Sequence, residues 1–127
     1  MKTIIKTQDA PSPIGPYSQA VRAGNLLFAS GMIAIDPSTG RLSTINIIQE
    51  TTQVMTNIGN VLKAAGLDFS DIVKTTIFLK DMNEFSAVND VYSRYFSNDF
   101  PARETVEVSR LPKDVNVEIS VTALFRE

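Results

Sequence analysis

The chain has 127 residues, 43% hydrophobic and 20% charged, a balance that fits one globular domain and argues against disorder. Twelve basic and fourteen acidic residues give a net charge of -2 with no basic block, which disfavours nucleic acid as a partner. Histidine and cysteine are absent, so disulfides, thiol nucleophiles, thiolate or imidazole metal sites and a Ser-His-Asp triad are excluded; acid–base chemistry falls to carboxylates, tyrosines, lysines or water.

Between Lys2 and Lys6 the N-terminus carries only two adjacent isoleucines, far short of a signal peptide's apolar region, and no run approaches membrane-spanning length. A cytoplasmic protein is expected. Thr3 to Thr7 is a short edge-strand candidate. Pro11, Pro13, Gly15 and Pro16 then force an irregular, stiff loop that delivers Tyr17 to Val21 into a second strand. Ala23-Gly24-Asn25 is a tight turn, making a hairpin with Asn25 to Ser30. Leu26 to Ala29 is apolar enough to be buried on both faces. Gly31 ends that strand, either as an ordinary bulge or as a place where a ligand approaches the backbone.

Asn46 to Ala65 is the clearest helix: Ile47, Ile48, Thr51, Val54, Met55, Ile58, Val61, Leu62 and Ala65 recur at three- and four-residue steps, and Gly66 supplies the stop. Gly59 inside it points to close helix–sheet packing. Ser70 to Lys80 reads as a central strand. A second helix is expected over Asn83 to Ser97, with Phe85, Val88, Tyr92, Tyr95 and Phe96 as a core stripe and Asn89 beside it, toward the rim.

The last stretch, 99–122, reads as two strands joined by Leu111-Pro112-Lys113-Asp114. Val115, Val117, Ile119, Val121 and Ala123 alternate with Asn116, Glu118, Ser120 and Thr122, which puts the apolar set on one sheet face and Glu118 on the other. Arg103 stands at the mouth of the preceding strand. On residue types alone the plainer reading of Glu118 and Arg103 is better, a solvated strand carboxylate and its surface partner. The alternative is one cation and one carboxylate serving a small substrate that carries its own carboxylate.

The order strand, hairpin, helix, strand, helix, strand, strand favours parallel pairing across the helices, with both helices on one sheet face. The other face, carrying Thr76, Phe78, Asn116 and Ser120, is too apolar for plain solvent surface and suggests self-association.

Pro-Ile-Gly-Pro-Tyr-Ser-Gln-Ala at 13–20, Phe-Ala-Ser-Gly at 28–31, Gln-Val-Met-Thr-Asn-Ile-Gly-Asn-Val-Leu-Lys-Ala-Ala-Gly at 53–66, Met82 to Phe85 on to Tyr95-Phe96, and the 101–118 stretch together resemble the Rid (YjgF) family of reactive-intermediate deaminases. The resemblance runs in order over about 10–125. It implies a chorismate-mutase-like α+β single domain over 1–127, and a homotrimer with sites at the subunit interfaces. The activity it implies is hydrolysis of 2-imino acids and their enamine tautomers, such as 2-iminobutanoate and 2-iminopropanoate, to 2-oxo acids and ammonia, with no metal or cofactor. A noncatalytic trimeric protein that binds 2-oxo acids and regulates another protein is the alternative.

Residue by residue, Arg103 matches the family's carboxylate-binding arginine, whose planar fork suits a bidentate grip. Glu118 matches the acid beside the attacking water. Gly31 matches a position whose main chain contacts ligand, Tyr17, Ser30 and Asn89 match pocket positions, and the Thr105 N–H adds a second carboxylate contact. Glu118, Arg103 and Tyr17 form the implied catalytic set. Two departures stand out: Met32 occupies a common glutamine position and makes one pocket wall less polar, and Thr105 replaces a frequent cysteine, which removes a thiol nucleophile.

Overall fold

Alternation of inward apolar and outward residues builds the central strands of the sheet. In this computed structural model, which describes residues 1–126, six strands run in the order β1-β2-β3-β6-β4-β5: β1 Lys2–Ile5, β2 Ala20–Ala23, β3 Leu26–Met32, β4 Ile72–Leu79, β5 Ala102–Glu107 and β6 Val117–Leu124. Along β6, Val117, Ile119, Val121 and Ala123 are buried while Glu118, Ser120 and Thr122 face the other way. Each such buried Val or Ile stabilises the fold by about 1.5–3 kcal/mol relative to exposure, which fixes the register of β6.

Helix α1 (Ile47–Ala64) and helix α2 (Phe85–Ser93) cover one face. Asn46 caps α1 through its side chain to the Gln49 N–H at 2.8 Å, and Gly66, at φ 76°, follows its end. Val54, Met55, Ile58, Val61 and Leu62 bury the inner stripe of α1, while Ile48 lies outside it and is exposed. The mixed sheet with two helices bears out the expected α+β architecture; a main core lies between helices and sheet, and a smaller cluster gathers Ile33, Ile35, Leu111 and Val115.

Several expectations need correction. β1 spans Lys2–Ile5 rather than Thr3–Thr7, and β2 begins only at Ala20, because Tyr17 to Gln19 still belong to the proline loop. A 3-10 turn at Phe69–Asp71 precedes β4, and another at Met82–Glu84 precedes α2, which ends at Ser93 rather than Ser97. β4 and β5, linked by α2, are parallel as expected. β3 and β4, linked by α1, are not neighbours, since β6 inserts between them antiparallel to both. Phe28 is not buried on both faces: it pairs with Thr122 on the uncovered face and is 48% exposed. Gly59 packs against the Phe69 ring, 3.1 Å from where its Cβ would stand, and not against the sheet.

Met32 turns into the core opposite Ile119, after a bulge between Ala29 and Met32 shifts the register, so it is not a wall of the candidate pocket beside Glu118. Asn116 lies before β6, and its side chain reaches the buried Glu50 of α1 rather than the uncovered face. That face carries Phe28, Thr122 and Lys74 in one row, Ser120, Thr76 and Glu104 in the next, and Glu118, Phe78 and Val106 in the third. No helix among the described residues is long and apolar enough to cross a membrane.

Candidate active site

The candidate residues gather into two groups, one on each face of the sheet. The first is organised by Glu118. Glu118 projects from β6 on the uncovered face, and its carboxylate lies against Gly31, where a Cβ would come within 2.7 Å of its Cδ. The space left by the missing side chain therefore seats a carboxylate, not a ligand. Glu118 makes no hydrogen bond among the described residues, and burial pushes its carboxyl above the usual carboxylate range. With Ile14, Tyr17, Ser30, Gly31, Ile33 and Pro112 it lines a pocket of about 440 Å³.

The proline loop is held over this pocket by local bonds. The Ser30 hydroxyl donates to the Ser18 carbonyl at 2.6 Å, and the Tyr17 hydroxyl accepts from the Ile14 N–H at 3.3 Å. Buried Gln19 anchors the loop further, donating to the carbonyls of Thr7, Ala10 and Pro11 and accepting from the Thr7 N–H at 2.7 Å. Tyr17, Ser30 and Gly31 thus share one cavity with Glu118. Sequence reasoning missed Ile14, Ile33 and Pro112 there. Pro112 opens a turn in which Lys113 and Asp114 both take left-handed backbone, at φ 55° and 56°, which no residue type announces.

The second group is organised by Arg103 on the edge strand β5. Arg103 pairs with Thr75, which is buried, so it points to the helix-bearing face and not to the face of Glu118. Phe85, Asn89 and Tyr92, spaced by four and three residues on α2, form a cradle for it. The guanidinium donates to Asn89 Oδ1 at 2.7 Å and lies 5.6 Å from the Phe85 ring centre and 5.1 Å from that of Tyr92. The Tyr92 hydroxyl donates to Thr75 Oγ1 at 3.1 Å; burial pushes that hydroxyl's pKa up, with the Thr75 bond and the Arg103 charge opposing. Phe85 and Tyr92 were expected only as core; their spacing with Asn89 was the available signal.

Arg103 has no acidic partner among the described residues, so it is not the surface mate of Glu118. It lines a second pocket of about 440 Å³ with Asn89, Tyr92, Ser93, Phe100 and Pro101. The Val108 N–H donates to the Leu79 carbonyl, so alternation turns the Thr105 N–H away from β4 to the free edge, on the strand of Arg103. The Thr105 side chain turns inward opposite Ile77, and its hydroxyl is buried without a partner.

Glu118 pairs with Phe78 and Arg103 with Thr75, which sets them three residues apart along the sheet and two strands apart across it. Their Cα atoms are therefore about 14 Å apart, on opposite faces. One chain does not bring them onto one small molecule. No cluster of three or more acidic side chains that could hold a metal occurs among the described residues.

A family model described as Endoribonuclease L-PSP matches residues 7–125. A RutC family protein of Pyrococcus horikoshii is 54% identical over 123 residues, covering 97% of this chain and 98% of its own. A 2-iminobutanoate/2-iminopropanoate deaminase of Capra hircus is 48% identical over 124 residues, covering 98% and 90%. Among solved structures, YyfA of Yersinia pestis, a protein of the conserved Rid family, has a TM-score of 0.95 at 52% identity and covers 98% of this chain and 99% of its own. Escherichia coli TdcF with bound serine has a TM-score of 0.93 at 39% identity and covers 98% and 99%.

Proposed function

The chain belongs to the Rid family, the proteins matched by the endoribonuclease L-PSP model, and from that premise we propose that it hydrolyses 2-imino acids and their enamine tautomers to 2-oxo acids and ammonia. The observation that carries the reading is the division of the candidate residues into a cation half and a carboxylate half that one chain holds apart. A site completed between copies, with Arg103 of one facing Glu118 of the next, gives a substrate both an anchor and a base. The uncovered sheet face, with Phe28, Phe78 and Val106 on it, supports a homotrimer that buries this face.

In the proposed site the Arg103 fork and the Thr105 N–H hold the substrate carboxylate, and Asn89 orients the fork. Tyr17 and Ser30 complete the pocket wall beside Glu118. The Gly31 carbonyl accepts from the iminium N–H. Glu118 takes a proton from water as its oxygen bonds to the electrophilic iminium carbon, giving a carbinolamine. It then returns that proton to the nitrogen. Glu118, again a carboxylate, takes the hydroxyl proton, the O–H electrons form the carbonyl, and the C–N bond breaks to release ammonia. A carboxyl whose pKa is raised by burial is a stronger base than an exposed one, which suits this step.

The deaminase name of a relative at 48% identity supports the reading. The ribonuclease wording of the family model finds no support in a net charge of -2 without a basic tract. The bound serine of TdcF favours a second reading, a noncatalytic trimer that senses a 2-oxo or amino acid and regulates another protein. Generating 2-iminobutanoate with a threonine dehydratase separates the two: faster ammonia release on adding this protein is the expected result. No acceleration, with 2-oxobutanoate still bound, would leave the sensor.

A further inference from the structure

Glu50, wholly buried in the first turn of α1, is a carboxylate that the proposed chemistry does not use. No cation pairs with it among the described residues. Its two oxygens accept from one residue 66 positions away: Oε2 from the Asn116 main-chain N–H at 2.8 Å and Oε1 from the Asn116 side-chain amide at 2.7 Å. Its place near the N-terminus of α1 favours the negative charge. A buried acceptor pair matched by two donors on a single residue is a clamp with one solution.

What it clamps matters. Asn116 lies two residues before Glu118, and its carbonyl accepts from the Lys80 N–H at 3.0 Å. On its other side is the turn in which Lys113 and Asp114 are both left-handed, a conformation that persists only when its surroundings hold it. Lys80 Nζ ties the same turn through Asp114 at 2.9 Å, but that pair is exposed and screened. The buried clamp is the stronger of the two fixings. The same turn brings Pro112 into the pocket wall beside Glu118.

We propose that Glu50 is a positioning residue, which through Asn116 sets the start of β6 and so aims the Glu118 carboxylate at the attacking water. The inference rests on the deaminase reading for its kinetic consequence; the clamp itself does not. Glu50→Leu, similar in volume, removes both acceptors and leaves both Asn116 donors unmet; Glu50→Gln alone would not, because the Asn116 amide can turn over and offer its Oδ1 to the new Nε2. Asn116→Asp sets two carboxylates together. The double variant Glu50→Gln/Asn116→Asp restores both bonds with the roles reversed, because the new amide donates to the new carboxylate while its oxygen still accepts from the main-chain N–H.

The experiment compares wild type, both single variants and the double variant. Ammonia release from 2-iminobutanoate gives kcat and KM, calorimetry gives 2-oxobutanoate affinity, and hydrogen exchange follows the main-chain amides of Asn116 and Glu118. Each single variant should lower kcat by about 10- to 100-fold, as a misaimed base does, with oxo-acid affinity within about threefold. The double variant should recover most of that loss and the exchange protection of Asn116. Wild-type kcat in the single variants, or a double variant as slow as the worse single, overturns the proposal. Should wild type itself hydrolyse no imine, the deaminase reading fails. The clamp then stands or falls on whether Asn116 protection is lost in Glu50→Leu and regained in the double variant.

Discussion

An equal mixture of Arg103→Ala and Glu118→Gln chains, exchanged into common assemblies, should hydrolyse imine faster than either variant alone. Arg103 has no acidic partner and holds its place through Asn89 at 2.7 Å and two aromatic rings. Its loss strips the bound carboxylate of its counter-charge, about 2–5 kcal/mol of binding, or roughly 30- to 5,000-fold in affinity. Glu118→Gln keeps the shape of the side chain but cannot take the proton, and turnover should fall by about 10²–10⁴-fold. Each defect is then nearly complete on its own. Arg103 and Glu118 face opposite sides of the sheet, so in the proposed assembly each site would draw one from each of two adjacent chains. Random assembly gives both native halves at about one site in four, so the mixture should regain about a quarter of wild-type activity. The assay is ammonia release after co-refolding, with thermal melts of each variant and light scattering to establish exchange. Exchanged assemblies that stay as inactive as the separate variants would refute the two-chain site.

The pH dependence of kcat/KM should show an acid limb whose inflection lies above the ordinary carboxylate range, since burial raises the Glu118 pKa; pH profiling of imine hydrolysis checks it. Folding raises that pKa, so this group's contribution to stability is present in full below its unfolded value and is lost as pH rises through its folded one. Glu118→Gln should therefore melt higher than wild type at pH 7, and the gain should vanish under acid, as calorimetric scans at both pH values would register. Gly31→Ala places a methyl on the Glu118 carboxylate and should abolish turnover while 2-oxobutanoate still binds at Arg103, read by the same ammonia assay and titration calorimetry.

Much of this arrangement was legible because periodicity reports faces. The alternation from Val117 to Ala123 marked the buried and open sides of β6 correctly, and the spacing from Ile47 to Leu62 marked α1. Periodicity is silent about strand order. Nothing in the stretch 99–122 says that β6 leaves β5 and inserts between β3 and β4. The loop 108–116 breaks the phase between the two strands, so the opposite orientations of Arg103 and Glu118 could not be counted across it. Met32 faces the core because the bulge beside it shifts the pairing by one position, though it still lines a small cavity with Tyr17 and Gly31. Asn116 was assigned to the open face because it continues the alternation, yet its amide answers to Glu50, a contact no local pattern encodes. Phe28 was taken as doubly buried because apolar character predicts burial without naming what buries it.

The pattern of satisfied and unsatisfied groups fits the proposed assembly of several copies. Inside the core, Gln19, Glu50 and Asn57 find partners, Asn57 donating to the carbonyls of Ile33 and Ile35, and only the Thr51 hydroxyl is left without one among the buried polar core groups described. At the two candidate half-sites the opposite holds. Glu118 is half-buried with no donor, Arg103 has no acid, and the Thr105 N–H points off a free strand edge. The residues beside these open groups are pinned: Gly31 by the Glu118 side chain, the proline loop by Gln19, the 112–114 turn by Glu50 and Lys80. Rigid strands with open polar groups are what a preorganised site requires, because the energy of holding them open was met during folding rather than at binding. In the proposed assembly, the surface that would join two copies is also the surface that would bring a base to an anchored substrate.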